Sequence, residues 1–188
     1  LIYWSIKIAQ ESEYIDRVIV STEDKEIANV AKEFSAEVPF FRPKIFSKDD
    51  SPGIESVLHA IEMLPECKDI LLMQPTSPIR KLEDIEGIFK LRAKYNSSSA
   101  VSITKNTKHS DLFFKLEINS KITPISGNFD IKPRQQYSDN YILNGSLYLS
   151  TTESILKNKS LITQDTLGYI MDPRYSVDID TPFDWEIA

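Results

Sequence analysis

The sequence predicts a single α/β domain whose mostly parallel sheet is wrapped by helices. Helical and strand-like patterns alternate along most of the chain, and this order favours parallel strands joined by right-handed crossovers. Residues 70–73 are four apolar residues without alternation, so they predict a strand buried on both faces, as in a parallel sheet. A chain of 188 residues suits one domain that buries about two thirds of its unfolded surface.

Apolar residues at helical spacing predict the first four helices. Residues 2–12 carry Ile2, Ile6 and Ala9 on one face, and Thr22 or Asp24 is suited to cap the second helix. The predicted helices cover residues 2–12, 25–34, 52–64 and 82–95.

Short β-branched or apolar runs predict the strands. The predicted strands cover residues 17–21, 37–41, 70–73, 100–104, 146–150 and 167–171, of which 37–41 is a short strand or an extended segment.

An insertion at residues 106–141 interrupts this order. Apolar runs at 112–118 and 121–125 flank the polar pair Asn119-Ser120, which predicts a β-hairpin. The insertion is too small to fold alone. We expect it to be an arm that docks on a second subunit, with a hairpin folded back on its own sheet as the alternative.

Composition excludes several classes of protein. The net charge is −6 and the basic residues are scattered, which argues against a nucleic-acid binder. Cys67 is the single cysteine, so no internal disulfide can form. The sequence has neither an apolar run of transmembrane length nor a signal peptide, so the expected location is the cytoplasm and no membrane partner is predicted.

A polar loop follows the strand at residues 70–73. Pro75 and Pro78 each fix a backbone φ angle, so the chain leaves the sheet along a stiff, extended path. Ligands of open α/β sheets bind beyond the carboxyl ends of the strands. The loop's polar residues there are Gln74, Thr76, Ser77 and Arg80. The alternative is an ordinary loop whose Ser or Thr caps the next helix.

A second polar segment lies near the end of the chain. Side chains alternate in an extended segment, so Asp178 and Asp180 project to one side. Two such carboxylates repel unless a cation lies between them, and oxygen ligands suit Mg²⁺ beside substrate phosphates. The alternative is a solvated edge in which Asp180 or Thr181 caps a final helix that begins at Pro182. We expect both, a cap and a metal-facing pair.

With these segments placed, the whole chain resembles the acylneuraminate cytidylyltransferase family, which makes CMP-sialic acid. The ordered set of motifs is specific, although each motif alone is not. The matching runs are Val18-Ile-Val-Ser-Thr22, Val38-Pro-Phe-Phe-Arg-Pro43, Leu72-Met-Gln-Pro-Thr-Ser-Pro-Ile-Arg80, Pro133-Arg-Gln-Gln136, Asn144-Gly145 with Tyr148, and Ser176-Val-Asp-Ile-Asp-Thr181.

The resemblance implies a Rossmann-like nucleotide-diphospho-sugar transferase fold and a homodimer formed through the hairpin arm. It also implies Mg²⁺ as cofactor, with CTP and a nine-carbon 2-keto sugar acid as substrates. Asp178 and Asp180 would be the catalytic metal ligands. The substrate-binding residues would be Arg42, Gln74, Thr76, Ser77, Arg134, Gln135, Asn144 and Gly145. The alternatives are a salt bridge of Arg42 to Asp49 or Asp50, and a surface role for Arg134.

Two departures from the family pattern matter. The family begins with a strand and a basic, glycine-containing loop that wraps the CTP phosphates, whereas no glycine precedes Gly53 here. We therefore expect a fragment that lacks roughly the first two dozen residues and has little activity alone.

The run from Tyr141 to Gly145 also lacks the Arg-Pro pair of some sialic-acid enzymes. The sugar is therefore left open between sialic and legionaminic acid, with Arg134 as the expected carboxylate partner.

The implied reaction is attack of the sugar's anomeric hydroxyl on the α-phosphorus of CTP, with release of pyrophosphate. Such a reaction needs alignment and charge compensation, so the metal and cations should carry it. Either Asp178 or a metal-bound water takes the hydroxyl proton. Two rival hypotheses remain, another sugar nucleotidyltransferase and a non-catalytic dimerisation or regulatory module on the same scaffold.

Overall fold

The computed structural model describes residues 1–48 and 51–188, where helices flank a four-stranded sheet and a hairpin forms a second sheet. The helices are α1 (Ile2–Gln10), α2 (Lys25–Glu33), α3 (Gly53–Met63), α4 (Leu82–Tyr95), α5 (Thr152–Asn158) and α6 (Pro182–Ile187). The strands are β1 (Asp69–Met73), β2 (Ser99–Lys105), β3 (Phe114–Leu116), β4 (Ile122–Pro124), β5 (Tyr141–Thr151) and β6 (Leu167–Met171). Short 3₁₀ turns occur at Lys44–Ser47, Ser110–Leu112, Arg134–Gln136 and Pro173–Tyr175.

The main sheet has the strand order β1-β5-β2-β6. Strand β5 is antiparallel to both β1 and β2, while β6 is parallel to β2. Three of the four strands therefore run in one direction, and the predicted α/β fold is confirmed. The expectation of a parallel partner for residues 70–73 is wrong, because an apolar run reports packing on two faces and not the direction of the neighbouring strand.

Both faces of β1 contact apolar clusters. Leu71 and Met73 pack on the cluster that contains Ile85 and Leu147, and the alternating residues Ile70 and Leu72 pack on another that contains Ile155. Apolar contacts on both faces agree with the prediction, although each side chain of residues 70–73 is only partly buried.

The extended segments at 17–21 and 37–41 are not strands. One parallel bridge joins Ile19 to Glu37, with backbone hydrogen bonds of 2.9 Å from Val20 N–H to the Glu37 carbonyl and 2.8 Å from Glu37 N–H to the Val18 carbonyl. A β-branched sequence favours extended backbone, but a ladder requires a run of paired neighbours. Among the described residues, this is the only β-bridge between the two segments, which are also joined by an ion pair of Arg17 with Glu37 at 2.7 Å.

Two predicted helix caps are confirmed. The Asp24 carboxylate accepts hydrogen bonds from the backbone of Glu26 and Ile27 at the start of α2, at 2.6 and 3.1 Å. Thr181 caps α6 and forms a capping box with Asp184. Helix α5 was not predicted from the sequence, and it follows β5 directly with Thr151 as its cap.

The predicted hairpin consists of β3 and β4, which pair antiparallel as a separate two-stranded sheet. Several of its apolar side chains face solvent, among them Leu116 at 75% exposure, Ile118 at 108% and Ile122 at 56%. We call the inserted residues 106–141 the arm. In the described part of the chain, no helix is long and apolar enough to cross a membrane.

Candidate active site

The candidate site forms at an irregularity in β5. Val101 of β2 pairs with Tyr148, and Ile103 pairs with Leu143, so Ser102 alone faces residues 144–147 of β5. Such a β-bulge leaves backbone groups without ladder partners and redirects the side chains around it. Asn144 and Gly145 therefore lie within a long strand and not in a turn between two strands.

Buried side chains replace the missing ladder contacts at this bulge. Ser102 Oγ accepts a hydrogen bond from Leu147 N–H at 2.8 Å and donates one to Asn144 Oδ1 at 2.6 Å. Asn144 Nδ2 donates to Ser176 Oγ at 3.0 Å. Since Asn144 and Ser102 are both buried, these bonds fix the Asn144 side chain as a structural support and leave it little freedom to bind a ligand.

Gly145 is in the left-handed region, with φ of +71°. Oxygen atoms of three side chains surround the place that a Cβ atom would occupy. They are Asp178 Oδ2 at 2.7 Å, Gln74 Oε1 at 2.8 Å and Ser77 Oγ at 3.1 Å from that position. We call these three oxygens above Gly145 the oxygen cradle. Glycine is required here for its backbone conformation and for the space that it leaves.

Hydrogen bonds hold the loop after β1 against the segment that carries Asp178. Ser77 Oγ is 3.2 Å from both Asp178 Oδ1 and the Asn144 carbonyl oxygen. The Ile179 N–H donates to the Thr76 carbonyl at 2.8 Å. The structure therefore brings together six of the predicted residues, namely Gln74, Thr76, Ser77, Asn144, Gly145 and Asp178.

Asp180 lies two residues beyond Asp178 and is exposed. Its backbone N–H donates to Asp184 Oδ2 at 3.2 Å, so the capping box of α6 anchors the backbone beside it. Among residues 1–48 and 51–188, no three His, Cys, Asp or Glu side chains cluster as a metal site. The one carboxylate oxygen and two neutral oxygens of the cradle are of the kind that a hard cation such as Mg²⁺ prefers.

Arg42 lies in a different environment. Its guanidinium contacts Glu23 Oε2 at 2.8 Å and Ser47 Oγ at 2.8 Å. The bond to Arg42 lowers the pKa of the Glu23 carboxyl below its ordinary value. A cleft of about 580 Å³ lined by Glu23, Asp24, Lys25, Lys44 and Ser47 adjoins this pair. The alternative partners Asp49 and Asp50 lie outside the described residues.

The two predicted residues of the arm lie in a 3₁₀ turn, Arg134–Gln136. Gln135 is exposed, and no hydrogen bond of the described structure joins it to the oxygen cradle. The side chain of Arg134 lies outside what the structure describes.

Two further residues adjoin the cradle, Arg80 and Tyr148. Arg80 was predicted to lie at the ligand-binding end of the strand, but neither residue was among the predicted substrate-binding residues. Arg80 is 5% exposed, and burial lowers the pKa of its guanidinium to about 10, although the charge of Asp178 opposes this change. Tyr148 is partly buried, and burial followed by the charge of Asp178 raises the pKa of its phenol, which therefore remains neutral at physiological pH. Both lie in the quoted sequence motifs, but the sequence alone gave no sign of their burial near Asp178.

Two solved structures share the fold of this chain. A CMP:2-keto-3-deoxy-manno-octonic acid synthetase complexed with CTP has a TM-score of 0.67 at 12% identity, with 97% of this chain and 83% of that one covered. A 4-diphosphocytidyl-2C-methyl-D-erythritol synthase has a TM-score of 0.64 at 15% identity, with 98% and 86% covered. At these identities the likeness concerns the fold alone, and the predicted nucleotidyltransferase fold is confirmed.

The chain belongs to the cytidylyltransferase family, whose sequence profile, described as "Cytidylyltransferase", matches residues 1–161. The CMP-N,N'-diacetyllegionaminic acid synthase of Legionella pneumophila is 31% identical over 208 residues, which cover 100% of this chain and 83% of that protein. N-acylneuraminate cytidylyltransferase B of Danio rerio is 33% identical, and the N-acylneuraminate cytidylyltransferase of Escherichia coli is 28% identical. The resemblance derived from the motifs is therefore confirmed.

The chain covers less than half of the length of two of these relatives. It covers 45% of the Escherichia coli protein and 44% of the Danio rerio protein. The family profile ends before Asp178, whereas the alignments with the three named relatives cover the whole chain.

Proposed function

We propose that this protein transfers CMP from CTP to the anomeric hydroxyl of a nine-carbon 2-keto sugar acid and releases pyrophosphate. The observation that carries this proposal is the oxygen cradle, where Asp178, Gln74 and Ser77 converge above Gly145 in the bulge of β5. The chain that holds this cradle belongs to the cytidylyltransferase family. Sugar acids are named as products or substrates in the relatives' own names, which supports this substrate class. Since the reaction uses CTP, we also propose the cytoplasm as its location.

In the proposed reaction, a bond forms between the anomeric oxygen and the α-phosphorus. The bond from that phosphorus to the bridging oxygen breaks, and pyrophosphate leaves with the electron pair. Asp178 is the carboxylate of the cradle and would accept the hydroxyl proton. Gln74 can donate and accept hydrogen bonds at once, which suits the sugar's hydroxyl or N-acyl groups.

We propose Mg²⁺ as the cofactor, held by Asp178 and Asp180. Two carboxylates leave room for phosphate oxygens and water, which is the usual protein environment of this ion. When bound, Mg²⁺ would offset the negative charge of the phosphates. The protein's own contribution is to fix Asp178 through Ser77 and to hold the backbone beside Asp180 through Asp184.

A nucleotide-competition assay with the complete natural protein tests the proposed function. With Mg²⁺ and a sialic or legionaminic acid, CTP should give the CMP-sugar and pyrophosphate at a rate at least about tenfold above that with ATP or GTP. The measurement is product formation by chromatography with each nucleotide in turn. Equal use of all three nucleotides would contradict cytidylyl transfer, and the absence of any product would favour the non-catalytic hypothesis.

We also propose that the protein forms a homodimer through the arm. The arm presents Leu116, Ile118 and Ile122 to solvent, and side chains of this kind are normally covered by a partner. A separate two-stranded hairpin is marginally stable alone, so a second copy of the chain would supply the missing contacts.

Replacing Leu116 and Ile118 with lysine should weaken this dimer by at least about 100-fold, because burying unpaired ammonium groups is costly. Sedimentation across a dilution series measures the change. Ile45→Lys is the matched control, since Ile45 is 61% exposed and lies outside the arm. If the dimer of the double variant dissociates over the same concentration range as that of the control, the proposed interface is contradicted.

A further inference from the structure

Arg80 is a buried cation whose hydrogen-bond partners among the described residues are all neutral. Its guanidinium donates to the Gln74 carbonyl at 2.6 Å, to Ser5 Oγ at 2.9 Å and to Ser146 Oγ at 3.1 Å. Only 5% of the residue is exposed. A buried charge contributes little to stability and is often replaceable by an apolar side chain, so a purely stabilising role accounts poorly for an arginine here.

The three partners belong to three different segments. Ser5 is on α1, Gln74 begins the loop after β1, and Ser146 is in the bulge of β5. Gln74 and Ser146 matter most, because the Gln74 side chain enters the oxygen cradle and Ser146 directly follows Gly145. One rigid guanidinium therefore links the loop that carries Gln74 to the strand that carries Gly145.

The same carbonyl is part of the loop's internal hydrogen bonding. Ser77 N–H donates to the Gln74 carbonyl at 3.2 Å, and Ser77 Oγ is 3.2 Å from Asp178 Oδ1. Loss of Arg80 would release this carbonyl, and with it the turn that aims Gln74 and Ser77. Asp178 itself contributes a favourable long-range charge to the guanidinium.

We propose that Arg80 is a positioning residue that fixes the loop from Gln74 to Ser77 against the β5 bulge, so that the oxygen cradle keeps its shape. This inference rests on the proposed function for its catalytic consequence, but its structural part can be measured without any turnover. Arg80 is not proposed to contact substrate, because only 5% of the residue is exposed.

Arg80→Met tests the inference in the complete protein. Released from Arg80, the amides of Ser77 and Ile179 should exchange with solvent at least about tenfold faster in native-state hydrogen exchange. Displacing Gln74 should lower kcat/KM by about 100-fold. The KM for the sugar acid should rise, while the KM for CTP should change by less than about threefold, since general loosening would raise both constants.

Arg92→Met is the matched control, because Arg92 donates two hydrogen bonds, of 2.6 and 2.7 Å, to Asp69 at the other end of β1. It should leave the Ser77 and Ile179 amides and both KM values unchanged. Should Arg80→Met not fold, Ser146→Ala removes one partner and keeps the charge, and it should show the same pattern with a smaller change.

Two results would overturn the inference. One is a folded Arg80→Met protein whose Ser77 and Ile179 amides exchange as in Arg92→Met. The other is an equal rise in both KM values. If the unsubstituted protein forms no CMP-sugar, the proposed function fails, and the exchange rates alone then decide whether Arg80 positions the loop.

Discussion

Replacing Asp178 with asparagine should lower the rate of CMP transfer by about a thousandfold and leave the fold intact. The substitution keeps the side-chain shape and an oxygen within reach of Ser77, but it removes the charge proposed to hold the metal and accept the proton. A loss of about 4 kcal/mol of transition-state stabilisation corresponds to this factor. The measurement is single-turnover formation of the CMP-sugar at saturating CTP and Mg²⁺.

Asp165→Asn is the control for Asp178→Asn. Asp165 is exposed and the substitution removes the same charge from the chain. It should keep nearly full activity, and both variants should unfold within about 1 kcal/mol of the unsubstituted protein. An Asp178→Asn enzyme with a near-normal rate would remove this carboxylate from the proposed mechanism.

Gly145→Ala should separate the backbone role of this glycine from its role in the site. Left-handed backbone costs about 1–2 kcal/mol for a residue with a Cβ, which should appear as lower stability in urea. The added methyl group would also displace the ends of the Asp178, Gln74 and Ser77 side chains. Since such displacements cost catalysis heavily, kcat/KM should fall by about 100-fold.

Gly127→Ala isolates the backbone effect. Gly127 has nearly the same backbone conformation, with φ of +75°, but nothing lies within 4 Å of its added Cβ. This variant should lose a similar amount of stability and keep its activity. If both variants lose stability alike and both remain active, the oxygen cradle is not where the chemistry occurs.

The sequence predicted the helices well because their signals are local. Helix α4 has the predicted bounds, and Asp24 and Thr181 cap α2 and α6, since spacing and cap chemistry lie within a few neighbouring residues. Strand pairing was less predictable, because the direction of the neighbour of β1 depends on where a strand some 70 residues later returns. The segments at 17–21 and 37–41 have strand-like composition but share one bridge.

The candidate site was partly visible in the sequence for a related reason. Gln74, Ser77 and Asp178 follow sheet strands or lie in an extended segment, and such positions are expected to meet at one edge. The burial of Arg80 could not be predicted, since its partners Ser5 of α1 and Ser146 of β5 are far from it in the sequence. The Asn144-Gly145 pair was predicted to bind substrate, and only the strand register reveals the bulge in which it lies.

The unequal pairing of β2 and β5 separates the two ends of β5. Which side chains face the core at one end therefore does not depend on the register at the other end. Residues 147–151 stay in register with β1, whereas residues 141–143 pair with β2 beyond the interruption and lead back into the arm. Residues could be gained or lost on the arm side without turning the core-facing side chains outward. The segment attached to this end of β5 can thus change in length while the interior of the sheet is left undisturbed.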